Sequence, residues 1–113
     1  MQEVALNRIE RGAQLPCGQM WRLDVNGVQI CLVHSEDDRF FAVADQCSHE
    51  QTPLSEGWTY DHVIECPRHN SVFDLETGEA VSLPAVDPID VFEVHTDGDD
   101  LLVAQTPTNA RAS

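Results

Sequence analysis

The sequence predicts an all-β domain, an antiparallel β-sandwich base with a loop-rich subdomain inserted into it. Three observations carry this. Short apolar or alternating runs recur along the chain, each of strand length and too short for a packed helix. Two pairs of runs flank the turn dipeptides Asn26-Gly27 and Asp97-Gly98, which favour tight hairpins. The segment from about 45 to 86 breaks the pattern, with few apolar residues and three prolines. Loops of that length in a compact domain usually carry function.

The elements follow in order. "MQEVALNRIERG" lacks a basic region followed by an apolar stretch, so it does not read as a signal peptide. "RIERGAQLP" predicts one weak helical turn, ended by Pro16. "MWRLDVNGVQICLVH" predicts a hairpin, with Trp21, Leu23 and Val25 on one face and Arg22 and Asp24 on the other. "RFFAVAD" is a further strand, and "HVIEC" and "SVFDL" are two short ones around Pro67. "IDVFEVHTDGDDLLVA" closes the chain as a second hairpin, and "TPTNARAS" frays. At 113 residues, the chain 1–113 is expected to be a single domain with one core. Residues of about 45–86 form its inserted subdomain.

Charge removes several function classes. There are 20 acids against six basic residues, all of them arginine. Without lysine there is no lysine nucleophile and no lysine phosphate cradle. A net charge of −14 argues against nucleic acid and anionic membranes as partners. It suits solubility, or docking to a basic patch. "VQICLVH", the longest mostly apolar run, is too short to span a bilayer. A soluble, cytoplasmic monomer is expected, and four cysteines in that setting suggest metal or redox chemistry rather than disulfides.

Two ligand-like pairs lie in the loop-rich segment. The first is Cys47-Ser48-His49; the second is Cys66-Pro67-Arg68-His69, after the intervening residues 50–65. Pro67 lacks an amide hydrogen and interrupts a strand, so Cys66 and His69 can curl toward one point. A third pair, Cys31 and His34, sits in a continuous strand. Residues three apart on a strand face opposite sides, so Cys31 is expected as a small core side chain and His34 as an exposed strand end. Cys17 has no partner nearby in sequence, and a Cys17–Cys31 disulfide is disfavoured in the cytosol. His62 and His95 are expected as partly exposed strand residues.

Cys2His2 zinc sites run Cys, Cys, His, His. Here the order alternates, which argues against zinc and fits loops that each serve two metal atoms. Cys47 and Cys66 would hold one iron, and His49 and His69 the other, the ligand set of a Rieske [2Fe–2S] centre.

The sequence resembles the Rieske-type ferredoxins. The matching residues are "CSH" at 47–49, "PLSEG" at 53–57, "CPRHNSVFDLETGEAVSLP" at 66–84 and the closing "VFEVHTDGDDLLV". The resemblance covers essentially the whole chain and implies the Rieske fold, one [2Fe–2S] cluster as cofactor, and Cys47, His49, Cys66 and His69 as its ligands. Respiratory Rieske proteins carry an extra disulfide-forming cysteine in each loop. Thr52 and Arg68 occupy those places here, so no bridge clamps the loops. Ser71 matches the family's serine near the cluster sulfurs, while Phe73 replaces a tyrosine.

Two imidazoles in place of two thiolates leave an oxidised centre neutral, which raises its potential over a four-cysteine one. The missing tyrosine hydroxyl and the fourteen acids of residues 45–100, against Arg68 alone, act in the other direction. The expectation is the lower part of the roughly −150 to +300 mV Rieske range.

The resemblance to ferredoxin components of bacterial aromatic-ring-hydroxylating dioxygenase systems implies a function. The chain is expected to pass single electrons from a flavin-dependent ferredoxin reductase to a terminal Rieske oxygenase. It is expected to be a carrier and not itself an enzyme, since the residues after 104 offer no oxygenase iron site. The alternative is a small subunit or accessory of another redox system, of the nitrite-reductase or iron–sulfur-assembly kind.

Overall fold

The computed structural model describes residues 6–48, 52–68, 71–82, 87–104 and 106–107. Among them are β1 (Leu6–Ile9), β2 (Gln19–Val25), β3 (Val28–His34), β4 (Phe40–Ala44) and β5 (Trp58–Tyr60). They continue with β6 (Val63–Glu65), β7 (Val72–Asp74), β8 (Val91–Phe92), β9 (Val94–Asp97) and β10 (Asp100–Ala104). The strands form three antiparallel sheets, ordered β1-β10-β9, β2-β3-β4-β8 and β5-β6-β7. The all-β class predicted from sequence is the class observed.

The first hairpin forms as its turn residues dictate. Asn26 and Gly27 take φ of 52° and 86°, the positive pair that a two-residue turn needs between right-twisted strands. Asp24 Oδ1 accepts the Gly27 amide at 2.9 Å, and Val25 faces Val28.

Three details differ from the sequence reading. The second hairpin turns one residue later: Asp97 pairs with Asp100, so Gly98 and Asp99 are its central residues. Gly98 has φ 64°, which suits glycine at the first central position. The arm before that turn is not one strand. β8 pairs with β4 and β9 with β10, so the chain changes sheet at Glu93. The N-terminal segment is mainly strand, with Leu6 through Ile9 opposite Ala104 through Leu101. Only Gly12–Gln14 forms a 3-10 turn. Ladder bonds to β10, and Arg8 reaching Asp97 and Asp100 at 2.9 and 2.8 Å, outweigh the local helical preference.

β3 is the centre of the molecule. Ile30 and Leu32, with Ala42 and Phe92, pack toward Leu15, Leu101 and Val103. Cys31 and Val33, with Phe41, Val43 and Val91, pack on the other side against Leu54, Ile64, Phe73 and Leu75. A strand buried on both faces reads as an unbroken apolar run, which accounts for "ICLV". The second cluster holds the β5-β6-β7 sheet in place. Its strands are three residues each and too short to stand alone. Burial of each large apolar side chain there contributes about 1.5–3 kcal/mol.

Candidate functional site

The loop after β4 starts at a buried carboxylate. Asp45 Oδ1 accepts the Ser55 amide and its Oδ2 the Ser55 hydroxyl, both at 2.7 Å. Arg22 Nε lies 3.2 Å from Oδ2, and the Asp45 amide donates to Gln29 at 2.9 Å. One carboxylate therefore joins the start of the loop, its far side and the β2–β3 hairpin. Inside this frame the Cys47 amide donates to the Thr52 carbonyl at 2.9 Å. Ser48 Oγ donates to the Asp87 carbonyl at 2.6 Å.

The loop after β6 repeats the device. The Cys66 amide donates to the Ser71 carbonyl at 2.8 Å. Residues 47–52 and 66–71 are thus two loops of equal length, each closed by a bond from the cysteine amide to the carbonyl five residues on. Cys47 is 2% exposed and Cys66 and Ser71 are 0% exposed, so both thiols lie in the dry base of their loops, within one apolar cluster. His49 and His69 fall by sequence inside the two closed loops and lie outside the described residues. Arg68 is exposed, and Phe73 is buried in the core behind the loops.

The two loops are pressed together at Gly57. A Cβ placed there would lie 1.9 Å from the Glu65 carbonyl oxygen and 3.0 Å from Pro67 Cδ. Only glycine allows the backbone leaving the first loop to cross the base of the second at this spacing.

Asp45, Ser55 and Gly57 went unassigned in the sequence. Asp45 and Ser55 are ten residues apart with no periodicity linking them. The "PLSEG" match pointed to Gly57 without showing what it touches.

The remaining histidines and cysteines sort as follows. His34 is buried, not an exposed strand end: it is 6% exposed and stacks on Phe40, with ring centroids 3.9 Å apart. The tight turn between β3 and β4 folds back over it. Cys17 does have a partner, His34 Nε2, 3.6 Å from its Sγ. Cys31 is a core residue as expected, and it and Cys17 are free thiols. Burial above all, with the nearby Asp45 charge, pushes the Cys31 thiol up, so it remains protonated and unreactive. His62 lies in a turn instead of a strand, with Nε2 2.8 Å from Asp37. His95 is exposed on β9, 3.2 Å from Glu93.

Two buried thiols at the bases of paired, equally closed loops suit a cluster that takes one cysteine from each loop, so the donor set fits an iron–sulfur centre. Residues 6–93 match the Rieske [2Fe-2S] domain model. The chain is 41% identical over 100 residues to the biphenyl 2,3-dioxygenase ferredoxin component of Rhodococcus jostii (strain RHA1), covering 88% of this chain and 92% of that one. It is 37% identical over 92 residues to the 3-phenylpropionate/cinnamic acid dioxygenase ferredoxin subunit of Shigella flexneri serotype 5b (strain 8401), covering 80% and 85%. Among solved structures, a chain from the complex of reduced oxygenase and oxidized ferredoxin in carbazole 1,9a-dioxygenase superposes with a TM-score of 0.84. That pair shares 29% identity, covering 94% of this chain and 98% of that one. The paired loops, the two buried thiols and these similarities together place the chain in the Rieske [2Fe-2S] domain family.

Proposed function

We propose that this chain is a one-electron carrier that delivers electrons from a flavin-dependent ferredoxin reductase to a terminal Rieske oxygenase acting on aromatic compounds. The observation that carries the reading is the pair of equal loops, each closed by its cysteine amide, with buried thiols at their bases. Similarity to ferredoxin components of dioxygenases supports the oxygenase as partner. Among the described residues, no helix is long and apolar enough to cross a membrane.

Cys47, His49, Cys66 and His69 would hold the cluster, which when bound takes up and releases one electron. The chain's own residues build the holder. Cys47 and Cys66 would present sulfur ligands from the buried base of the loops. The Asp45–Ser55 clamp and the Gly57 crossing keep the two loops in register. Ser71, buried at the close of the second loop, would tune the cluster, its hydroxyl favouring the reduced state. Residues 1–113 would act as a single monomeric domain in the cytoplasm, with about 45–86 as the cluster-bearing subdomain. Docking would be small and transient at the loop tips, and the net charge of −14 would make it sensitive to salt.

The test is purification of the intact protein, iron analysis, redox titration, and reconstitution with candidate reductase–oxygenase pairs. Two irons per chain, a midpoint in the lower Rieske range and electron delivery that salt slows are expected. A colourless protein without iron, or a midpoint well above zero, would overturn the reading.

A further inference from the structure

At the opposite end of β3 from the cluster loops, three side chains converge. The first loop leaves from Ala44, which pairs with Ile30, whereas His34 pairs with Phe40. Four strand rises, about 13 Å, separate the two ends. At the His34 end, Cys17 Sγ lies 3.6 Å from His34 Nε2, and Asp38 Oδ1 lies 2.6 Å from the same nitrogen. All three ligand atoms fall within 4.8 Å of one another. From this geometry we infer that Cys17, His34 and Asp38 form a second metal site, for a zinc-type divalent cation.

The imidazole is set up as a ligand. His34 Nδ1 lies 2.5 Å from the Leu15 carbonyl oxygen, which can only accept, so Nδ1 carries a proton and donates there. Nε2 is left as the ring nitrogen that can coordinate a cation. Metal-binding histidines are commonly oriented in this way, by a carbonyl or carboxylate on the far nitrogen. The ring is 6% exposed and pinned by Phe40 at an interplanar angle of 17°. A cation among Nε2, Oδ1 and Sγ would take the place of a proton between Nε2 and Oδ1 and join all three in shared coordination.

The nitrogen–sulfur distance fits zinc. Bonds of 2.0–2.1 Å to nitrogen and 2.3 Å to sulfur at a tetrahedral angle place the two atoms about 3.6 Å apart, the separation found. The same construction puts nitrogen and oxygen about 3.3 Å apart, so Asp38 must withdraw slightly. Its side chain is 81% exposed and can do so.

The other two ligands ride on turns already tied to β3 and β4. Gly18 donates to the His34 carbonyl at 2.6 Å, next to Cys17. Asp38 donates to the Ser35 carbonyl at 3.0 Å, and Ser35 to the Arg39 carbonyl at 2.8 Å. Glu36 lies beside Gly18 and adds negative charge. Thiolate, imidazole and carboxylate with an open fourth position suit zinc and exclude magnesium or calcium, which take oxygen donors. Bound there, the ion would staple the residue 15–18 turn to the β3–β4 turn, apart from the electron path.

The test uses the iron-loaded protein equilibrated with zinc sulfate alone, then dialysed. Zinc and iron are counted in the same samples, and zinc-edge X-ray absorption reports the ion's neighbours. One zinc per chain with a single sulfur at about 2.3 Å and nitrogen or oxygen at about 2.0–2.2 Å is expected. Cys17→Ser and Asp38→Asn, both at exposed positions, should weaken zinc binding, the serine variant by more than about 100-fold, since even supporting groups cost 10–100-fold. Failure to retain zinc overturns the proposal. So does a shell with no sulfur, a shell with two sulfurs (zinc in place of iron between the loop cysteines), or variants that bind as the parent does.

Discussion

Replacement of Asp45 tests how the cluster loops are held. Its carboxylate accepts two hydrogen bonds from Ser55, each at 2.7 Å, and its side chain is 0% exposed. Bonds to a charged acceptor contribute about 1.5–3 kcal/mol each. Arg22, half exposed, adds little because water screens it. Asp45→Ala removes both bonds, but half-buried Ser55 regains some water, so the expected loss is about 3 kcal/mol. For a chain of this length that is a melting shift of about 12 °C. Asp45→Asn keeps an acceptor for the Ser55 amide and should lose about 1–1.5 kcal/mol, or about 5 °C. Ser55→Ala removes the hydroxyl alone and should fall near the asparagine variant. The assay is thermal unfolding by circular dichroism with iron release followed in parallel. The alanine variant should release iron at a lower temperature by the same interval. If Asp45→Ala melts within about 2 °C of the parent, the clamp does not hold the loop. If Asp45→Ala and Ser55→Ala are additive in the double variant, the two residues do not act through each other.

Three further outcomes are expected. Gly57→Ala puts a carbon 1.9 Å from the Glu65 carbonyl; relieving that overlap should cost about 3 kcal/mol or more and lower the iron content, while Gly27→Ala, at an open turn, should keep the iron. Ser71→Ala should lower the midpoint by about 40 mV, if the hydroxyl favours the reduced state by about 1 kcal/mol, and an unchanged midpoint removes Ser71 from the tuning role. Tyr60, the single tyrosine, donates to Glu65 Oε1 at 2.8 Å, and this bond, ahead of burial and the neighbouring carboxylates, raises its ionisation above the ordinary value of 10. Because the raised group favours its neutral form when folded, this contribution is complete below pH 10 and is lost as pH rises through the folded-state value. Ultraviolet titration should show phenolate forming late, and Glu65→Gln should bring it back toward 10; no change in the variant would separate the shift from Glu65.

What was legible in the sequence was what rests on local pattern. Asn26-Gly27 specified a hairpin because the positive φ angles are a property of those two residues. Cys47 and Cys66 were singled out by their spacing with His49 and His69, and the structure buries both thiols at the bases of the closed loops. What depends on distant partners was not. Leu6–Ile9 is a strand through pairing with β10, and Trp58–Tyr60 through pairing with β6. Neither run has an apolar alternation strong enough to declare itself. His34 looked like a strand end because the 35–39 turn that buries it is built from Ser, Glu, Asp, Asp and Arg. Those residues suggest solvent, yet Ser35 and Asp38 fold the turn back onto the ring. Cys17 and His34 are seventeen residues apart in sequence, and only the register of β2 on β3 brings them together.

Thr52 and Arg68 stand where the respiratory branch has disulfide cysteines, and the loops stay joined by other means. A disulfide typically contributes 2–4 kcal/mol, chiefly through the unfolded chain. The Asp45 clamp is worth a similar amount in the folded state, and a reducing compartment does not threaten it. It differs from a disulfide in carrying charge. Asp45 lies two residues before Cys47, and its field already contributes to raising the Cys31 thiol. Cys31 shares the apolar cluster of Cys47 and Cys66. A fixed negative charge in that low-dielectric base opposes the arrival of an electron more than the screened surface acids do. The clamp that replaces the bridge would therefore also lower the potential, which ties the missing cysteines to the low-potential expectation through one residue. Asp45→Asn separates the two effects, because it should loosen the loop and raise the midpoint together. Destabilisation with a falling or constant midpoint would mean that Asp45 holds the loop without tuning the cluster.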